Sequence, residues 1–293
     1  LLISIKSKRG WSHDVNFLSK LTGSFSMQSS VNPTVAMVEA AYQFHNLNFR
    51  YINCEVLPEQ LENAVKGAKA MGWLGFNCSL PHKVEVIKYL DGLGESAALM
   101  GAVNCVVLRD GRYIGENTDG KGFLESLKTV VDPKGLKVAI LGAGGAARAI
   151  TVELALAGAS EIRIINRDVK RGQELTDLIN QKTEARGIFT KWDALYEVPK
   201  EIDILVNATS LGMAPNDKEP INLDIDSLHS GLVVADVIVN PPNTQLIKDA
   251  RSKGCRVIDG LGMIVNQGIL GVEYWTGTKV SAGVMRDALE KVL

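Results

Sequence analysis

The stretch from Val138 to Ala159 constrains this chain more than any other. An apolar run, Val138-Ala139-Ile140-Leu141, leads directly into Gly142-Ala143-Gly144-Gly145-Ala146-Ala147, and a helical pattern continues over 146–157. A strand that turns sharply into a helix is half of a βαβ unit, and the next strand pattern, 161–165, begins about 20 residues after the turn, as such a unit requires. Arg148, Glu153 and several glycines interrupt the apolar residues, which excludes a membrane span.

Gly142-x-Gly144-x-x-Ala147 has the form of a dinucleotide-binding turn. The first glycine permits the tight bend, the second lets backbone approach a pyrophosphate, and the small Ala147 allows close helix packing. A phosphate then meets the free N–H groups and positive end of the helix, contributed here by Gly142, Ala143, Gly144, Gly145 and Ala146. Glycine turns also close ordinary βα units, but a strand before the turn and a helix after it favour NAD(P). The second strand ends at Asn166-Arg167-Asp168, with Arg171 one turn later. An NAD site commonly carries an acid at that strand end, whereas Asn166, Arg167 and Arg171 suit a 2′-phosphate, so NADP is expected and NAD is the alternative. Asp168 opposes that choice, because a carboxylate between the arginines neutralises them.

The remaining pattern predicts an α/β fold of two domains. A chain of 293 residues exceeds the usual size of one hydrophobic core. Leu2–Ile5 reads as a strand and not as a signal sequence, and the stretch through Gly23 and Ser30 reads as turn-rich. Helical periodicity over 33–44 and 61–71 alternates with strand patterns over 49–56 and 74–78, and a helix is expected over 84–90. A hairpin pairs 103–108 with 113–114, 117–120 reads as a loop, and 122–130 as a connecting helix. After the glycine turn come strand and helix patterns at 161–165, 170–182, 202–207, 233–237 and 256–259, then helices over 265–275 and 282–293. Alternation of this kind implies a mainly parallel sheet in the N-terminal domain and a Rossmann-type NAD(P)-binding domain after it. The expected boundaries are 1–118 for the substrate-binding domain, completed by 259–293, and 119–258 for the cofactor domain.

Charge and cysteine usage narrow the partners. The formal net charge is −1, with both signs intermixed, so no basic stripe exists to neutralise nucleic-acid phosphates and a small molecule is the expected ligand. Cys54, Cys78, Cys105 and Cys255 are far apart, in apolar surroundings, with no Cys/His cluster. Buried free thiols, no metal and a reducing, cytoplasmic location are expected. A monomer or homodimer without membrane or nucleic-acid contacts fits these features.

Six segments stand out in order: Asn77-Cys78-Ser79-Leu80-Pro81-His82-Lys83, Gly101-Ala102-Val103-Asn104, Gly115-Glu116-Asn117-Thr118-Asp119-Gly120, the glycine turn, 207–213 (Asn-Ala-Thr-Ser-Leu-Gly-Met), and Asp259-Gly260-Leu261-Gly262-Met263 with Gln267 beyond. Together they resemble the shikimate dehydrogenase family, including its shikimate/quinate dehydrogenase relatives. Their order and spacing extend over nearly the whole chain. The resemblance implies reversible hydride transfer between NAD(P) and a cyclic hydroxy acid, as in 3-dehydroshikimate/shikimate or quinate chemistry of aromatic amino-acid biosynthesis. It also implies that Lys83 and Asp119 are the catalytic pair, that Asn77, Ser79, Asn104 and Gln267 contact the substrate, and that Thr209, Met213, Gly260 and Met263 contact the cofactor. Physically, hydride arriving at a carbonyl carbon creates alkoxide character that needs a proton donor, and Lys83 oriented by Asp119 can supply one. Taken alone, Lys83 reads as a solvated lysine in a first helical turn, Asp119 as a turn or cap residue, and the amides as loop caps. His82 reads as a spacer.

Two departures bear on the substrate. The family's Ser-x-Ser-Pro segment, whose hydroxyls hold the substrate carboxylate, is here Ser30-Val31-Asn32-Pro33, with Ser29 as a possible substitute. Val239 stands where the family often has a substrate-contacting Tyr. A different ring acid, such as an aminoshikimate, is therefore one alternative, and a non-catalytic metabolite or cofactor sensor is another. A sensor has no need of a proton donor. A folate-type dehydrogenase is disfavoured by the segments at 117–120 and 260–263.

Overall fold

A computed structural model describes residues 17–215 and 218–293. The strand expected at Leu2–Ile5 lies outside the described residues.

The first sheet contains β1 (Lys20–Ser26), β2 (Phe49–Glu55), β3 (Gly75–Cys78), β4 (Gly92–Leu93), β5 (Cys105–Arg109) and β6 (Arg112–Glu116), in the order β2-β1-β3-β5-β6-β4. β1 runs parallel to β2 and β3, and β4 to β6, while the hairpin β5–β6 turns the sheet antiparallel. Helices α1 (Thr34–Phe44), α2 (Leu61–Ala70), α3 (His82–Glu85) and α4 (Glu95–Met100) link its strands. Helix α5 (Thr118–Lys128) leads out of it to the second sheet.

The second sheet contains β7 (Lys137–Leu141), β8 (Glu161–Asn166), β9 (Arg186–Lys191), β10 (Ile204–Asn207), β11 (Val233–Asp236) and β12 (Arg256–Ile258). Their order is β12-β11-β10-β7-β8-β9, and every pairing is parallel. Strand order reverses beside β7, and such a switch point opens a crevice at the strands' C-terminal ends where ligands bind. The glycine turn lies there, between β7 and α6 (Gly145–Leu156). Helices α7 (Val169–Lys182) and α8 (Gln245–Ser252) follow β8 and β11. The apolar strands β7, β8, β10 and β11 are buried between two cores, one with Ile150, Leu154 and Leu175, the other with Trp192, Leu228 and Leu246.

The last helices, α9 (Gly260–Thr276) and α10 (Ala282–Glu290), return to the first sheet. Val265, Val272, Met285 and Leu289 share an apolar cluster with Met37 and Val38 of α1 and with Tyr51 of β2. Helix α5 lies along α9 so closely that Gly122 abuts the α9 backbone at Met263 and Gln267.

The structure differs from the expectations at identifiable places. Residues 20–26 form a buried strand and not a turn-rich stretch. Both faces of the strand are covered, and one of them is polar, with Thr22 bonded to Tyr42 and Arg50, Ser24 to Asn53, and Ser26 to Ser29, so the usual apolar alternation is obscured. Gly23 sits within this strand because a Cβ there would overlap the Ile52 carbonyl oxygen and the Trp73 ring. Residues 118–120 are helical and not a loop, because the Asn117 side chain accepts the Asp119 N–H at 3.1 Å and starts α5 earlier. The helix expected over 84–90 begins at His82 and tightens into a 3-10 turn at Val86–Tyr89. The short β4 and α4 and the half-exposed edge strand β9 carry no clear apolar period. Among the described residues, no helix is long and apolar enough to cross a membrane.

Candidate active site

The candidate centre is built where strands of the first sheet end and helices begin. Lys83 occupies the first turn of α3, just past β3, and Asp119 the first turn of α5, just past β6. Lys83 Nζ donates to Asp119 Oδ2 at 2.7 Å, and Asn104 Nδ2 donates to the other carboxylate oxygen, Oδ1, at 2.8 Å. The Asp119 charge beside Lys83 holds its ammonium above the ordinary lysine range, against the opposing effect of burial. Lys83 therefore stays protonated through neutral pH.

These groups open on a cavity of about 200 Å³ whose wall also includes Ser24, Asn32, Thr34, Asn77, Ser79 and Gln267, with Cys78 and Ile264 as softer surface. Asn77 accepts the Tyr51 hydroxyl at 2.7 Å and donates one N–H to the Asn104 carbonyl at 3.1 Å, leaving its second N–H unspent. Gln267 reaches the wall from α9, its Oε1 at 3.5 Å from Thr118 Oγ1. Burial pushes the Cys78 thiol up to about 12, so it lines the site as an apolar group. Lys83 and Asp119 are the charged residues of this wall, and they neutralise one another.

Several expected contacts are arranged differently. Asn104 is at the wall, but its amide is used inside the protein. Its two N–H groups go to Thr118 Oγ1 and Asp119, and its oxygen accepts the Thr118 N–H at 2.7 Å. Ser30 is exposed on a 3-10 turn, outside the cavity lining, so it is not brought to this wall. Ser29 is buried and donates to the Cys54 carbonyl at 2.7 Å, so it does not substitute. Asn32 alone of that segment lines the cavity. Val239 packs into the apolar cluster of α1, α9 and α10. His82 is buried, with its ring nitrogen 2.8 Å from the Val56 carbonyl. Ser24, Thr34 and Ile264 were not singled out from sequence. Ser24 was hidden because its strand has no apolar period. Ile264 had a signal, standing one turn before Gln267.

The cofactor region follows the glycine turn. Gly142 has φ +108°, which a side chain would disfavour, while Cβ positions at Gly144 and Gly145 face open space. Helix α6 starts there with no side-chain cap, leaving its first N–H groups free for a phosphate. Asp168 is occupied as the α7 cap, its Oδ1 accepting the Arg171 N–H at 3.1 Å and its Oδ2 lying 3.7 Å from Arg171 Nε. Asn166 Nδ2 donates to the Asp168 carbonyl. Among the described residues Arg167 makes no ion pair, and it lines a hollow with Trp192, Leu211 and Glu219. The Asp168 carboxylate is turned to Arg171, so it offsets that arginine's charge and not that of Arg167. Thr209 is tied to Asn207 at 2.7 Å, holding the loop that carries the half-exposed Met213 past β10. Gly260 is buried under the Ile238 carbonyl, and Met263 packs against the core of the second sheet, so both have packing roles at the seam. These residues fit a dinucleotide phosphate at the turn and a second phosphate near Arg167. Among the described residues, no cluster of three or more His, Cys, Asp or Glu is placed to hold a metal.

Three family models match in succession. They are the shikimate dehydrogenase substrate-binding domain over residues 26–106, shikimate/quinate 5-dehydrogenase over 125–259, and the shikimate 5′-dehydrogenase C-terminal domain over 260–290. Shikimate dehydrogenase (NADP(+)) of Methanopyrus kandleri is 43% identical over 267 residues, which is 90% of this chain and 91% of the relative. The ligand-free 5-ketofructose reductase of Gluconobacter sp. strain CHM43 is 57% identical, with a TM-score of 0.92, covering 95% of this chain and 100% of that one. Shikimate 5-dehydrogenase from Listeria monocytogenes, solved with shikimate and NAD, is 33% identical, with a TM-score of 0.89 over 94% and 98% of the two chains.

Proposed function

Because the chain belongs to the shikimate dehydrogenase family, and is an NAD(P)-dependent oxidoreductase of that type, we propose that it uses NADPH to reduce a neutral, polyhydroxylated ketone. NADPH supplies the hydride when bound. Lys83 gives its proton to the oxygen that becomes a hydroxyl, and solvent returns a proton to Lys83. Asp119 keeps Lys83 charged and aimed, and Asn104 holds Asp119 by its second oxygen. Proton donation of this kind contributes roughly 10²–10⁴-fold. The intact pair favours an enzyme over a sensor.

One observation carries the substrate class. Among the described residues the charges on the wall are Lys83 and Asp119, which cancel, and Ser29 and Ser30 of the segment that the family resemblance assigns to a carboxylate do not line it. A carboxylate there would meet amide donors but no unspent positive charge, and a charge without a counter-charge is costly to desolvate. Neutral oxygens need no counter-charge and are served by the free N–H groups of Asn32, Asn77 and Gln267. The 57% identical relative named for 5-ketofructose fits this chemistry.

A ring acid of the shikimate kind is the second reading. It is favoured by the assembly of Asn77, Asn104, Gln267, Lys83 and Asp119 at one wall, and by the name of the 43% identical relative. Steady-state assay of 5-ketofructose with NADPH against shikimate and quinate with NADP⁺ separates the two. A much larger kcat/KM for 5-ketofructose is expected, and turnover of the ring acids alone would reverse the assignment.

A further inference from the structure

We infer that Asn53 and Ser24 are positioning residues for substrate specificity, locking the Asn32 amide so that it turns an N–H, and not its carbonyl oxygen, toward the substrate. The inference rests on the reading of Asn32 as a substrate contact.

Ser24 pairs in register with Asn53 of β2 and with Asn77 of β3, so the three side chains stand in a row on one face of the sheet. Asn53 Nδ2 donates to two backbone carbonyls, those of Ser29 and Asn32, each at 3.0 Å. Carbonyls only accept, so the Asn53 amide cannot be turned round without setting oxygen against two oxygens. Its Oδ1 therefore faces Ser24, and the Ser24 hydroxyl must donate to it, at 2.8 Å. Having spent its one proton, Ser24 can only accept from Asn32, whose Nδ2 lies 3.2 Å away. The other end of the Asn32 amide is fixed independently, because its Oδ1 accepts the Thr34 N–H at 3.0 Å.

Three backbone groups thus dictate the direction of every bond in the relay. One Nδ2–H of Asn32 is left over at the cavity wall, beside the unspent N–H of Asn77. That end of the cavity recognises a hydrogen-bond acceptor, such as a ketone or hydroxyl oxygen. An unlocked amide would present either atom and lose the preference. Asn53 lies behind the wall and acts only through Asn32 and its loop.

The test is a double-mutant cycle of Ser24→Ala and Asn32→Ala, assayed with NADPH and 5-ketofructose and with NADP⁺ and shikimate. Ser24→Ala should raise the substrate KM about threefold to tenfold, the scale of one net hydrogen bond, with a much smaller effect on kcat and none on KM for the cofactor. Asn32→Ala should raise KM at least as much, and the double variant should be no worse than Asn32→Ala alone. Asn53→Asp, which keeps the shape but cannot donate to the two carbonyls, should reproduce the Ser24→Ala effect. Effects of Ser24→Ala and Asn32→Ala that multiply, or a KM left unmoved by either single variant, would overturn the lock. If wild type turns over shikimate and not 5-ketofructose, the neutral-ketone reading falls. The same cycle on shikimate then still decides for or against the lock.

Discussion

Lys83 Nζ and Asp119 Oδ2 meet at 2.7 Å although they lie in the first turns of two different helices, α3 and α5. A helix N-terminus favours the carboxylate and disfavours the ammonium, so Asp119 is well placed for its charge and Lys83 depends on Asp119 for its own. Lys83→Ala should lower kcat by about 10²–10⁴-fold while leaving NADPH binding, followed by fluorescence, nearly unchanged. Asp119→Asn should move the alkaline limb of the kcat/KM profile to lower pH. The Asp119 charge raises the Lys83 pKa, and without it burial pulls the other way. An unmoved limb would remove Lys83 as the group that titrates there.

Asn104 spends both N–H groups and its oxygen on Thr118 and Asp119, so it is expected to act on the Asp119 carboxylate and not on a substrate hydroxyl. Asn104→Ala should therefore lower kcat, by about tenfold for one charge-assisted hydrogen bond, more than it raises KM. A change confined to KM would restore the hydroxyl-contact role.

Asp168 caps α7 and faces Arg171, and among the described residues Arg167 makes no ion pair. Arg167→Ala should raise KM for NADPH by about tenfold or more and leave KM for NADH almost unchanged, as expected for loss of a charge-assisted contact to a 2′-phosphate. Equal effects on both cofactors would mean that this arginine does not discriminate between them.

Glu153 of α6 is buried against Gly120 of α5, its Oε1 has no hydrogen-bond partner, and burial holds its carboxyl above the usual range. Below the unfolded pKa both states are protonated and nothing is lost. As pH rises from there through the higher folded pKa, the unfolded chain ionises first and stability falls. Glu153→Gln should thus gain a few degrees in Tm, on the order of 2–4 °C, at pH 7 and gain little at pH 4. A constant difference across that range would show that ionisation of Glu153 is not the cause.

Cys78 lines the cavity with its thiol pushed up to about 12 by burial, whereas Cys54 is only half-buried on the edge strand β2. Alkylation of native protein near pH 8, read by peptide mass, should modify Cys54 well before Cys78, because the thiolate is the reactive form. Early labelling of Cys78 would mean that the pocket thiol is activated.

The βαβ unit is readable from local sequence, since a buried parallel strand is apolar throughout and a pyrophosphate turn is glycine-rich. Lys83, Asp119, Asn77 and Gln267 stand in segments whose order and spacing are specific, and the fold brings them to one cavity wall. The tertiary structure alone decided what those groups can still do. Asn104 reached the wall with its hydrogen bonds already spent, and Ser30 turned outward while Asn32 turned in. Asp168 became a helix cap that faces Arg171 and not Arg167. Strand β1 was hidden because one of its two covered faces is polar, Thr22, Ser24 and Ser26 being satisfied by neighbours that no local pattern reveals. Hydrophobic period and turn chemistry are local properties that a sequence displays. The direction of a hydrogen bond depends on which partners the fold brings within about 3 Å, and that is settled only when the strands pair.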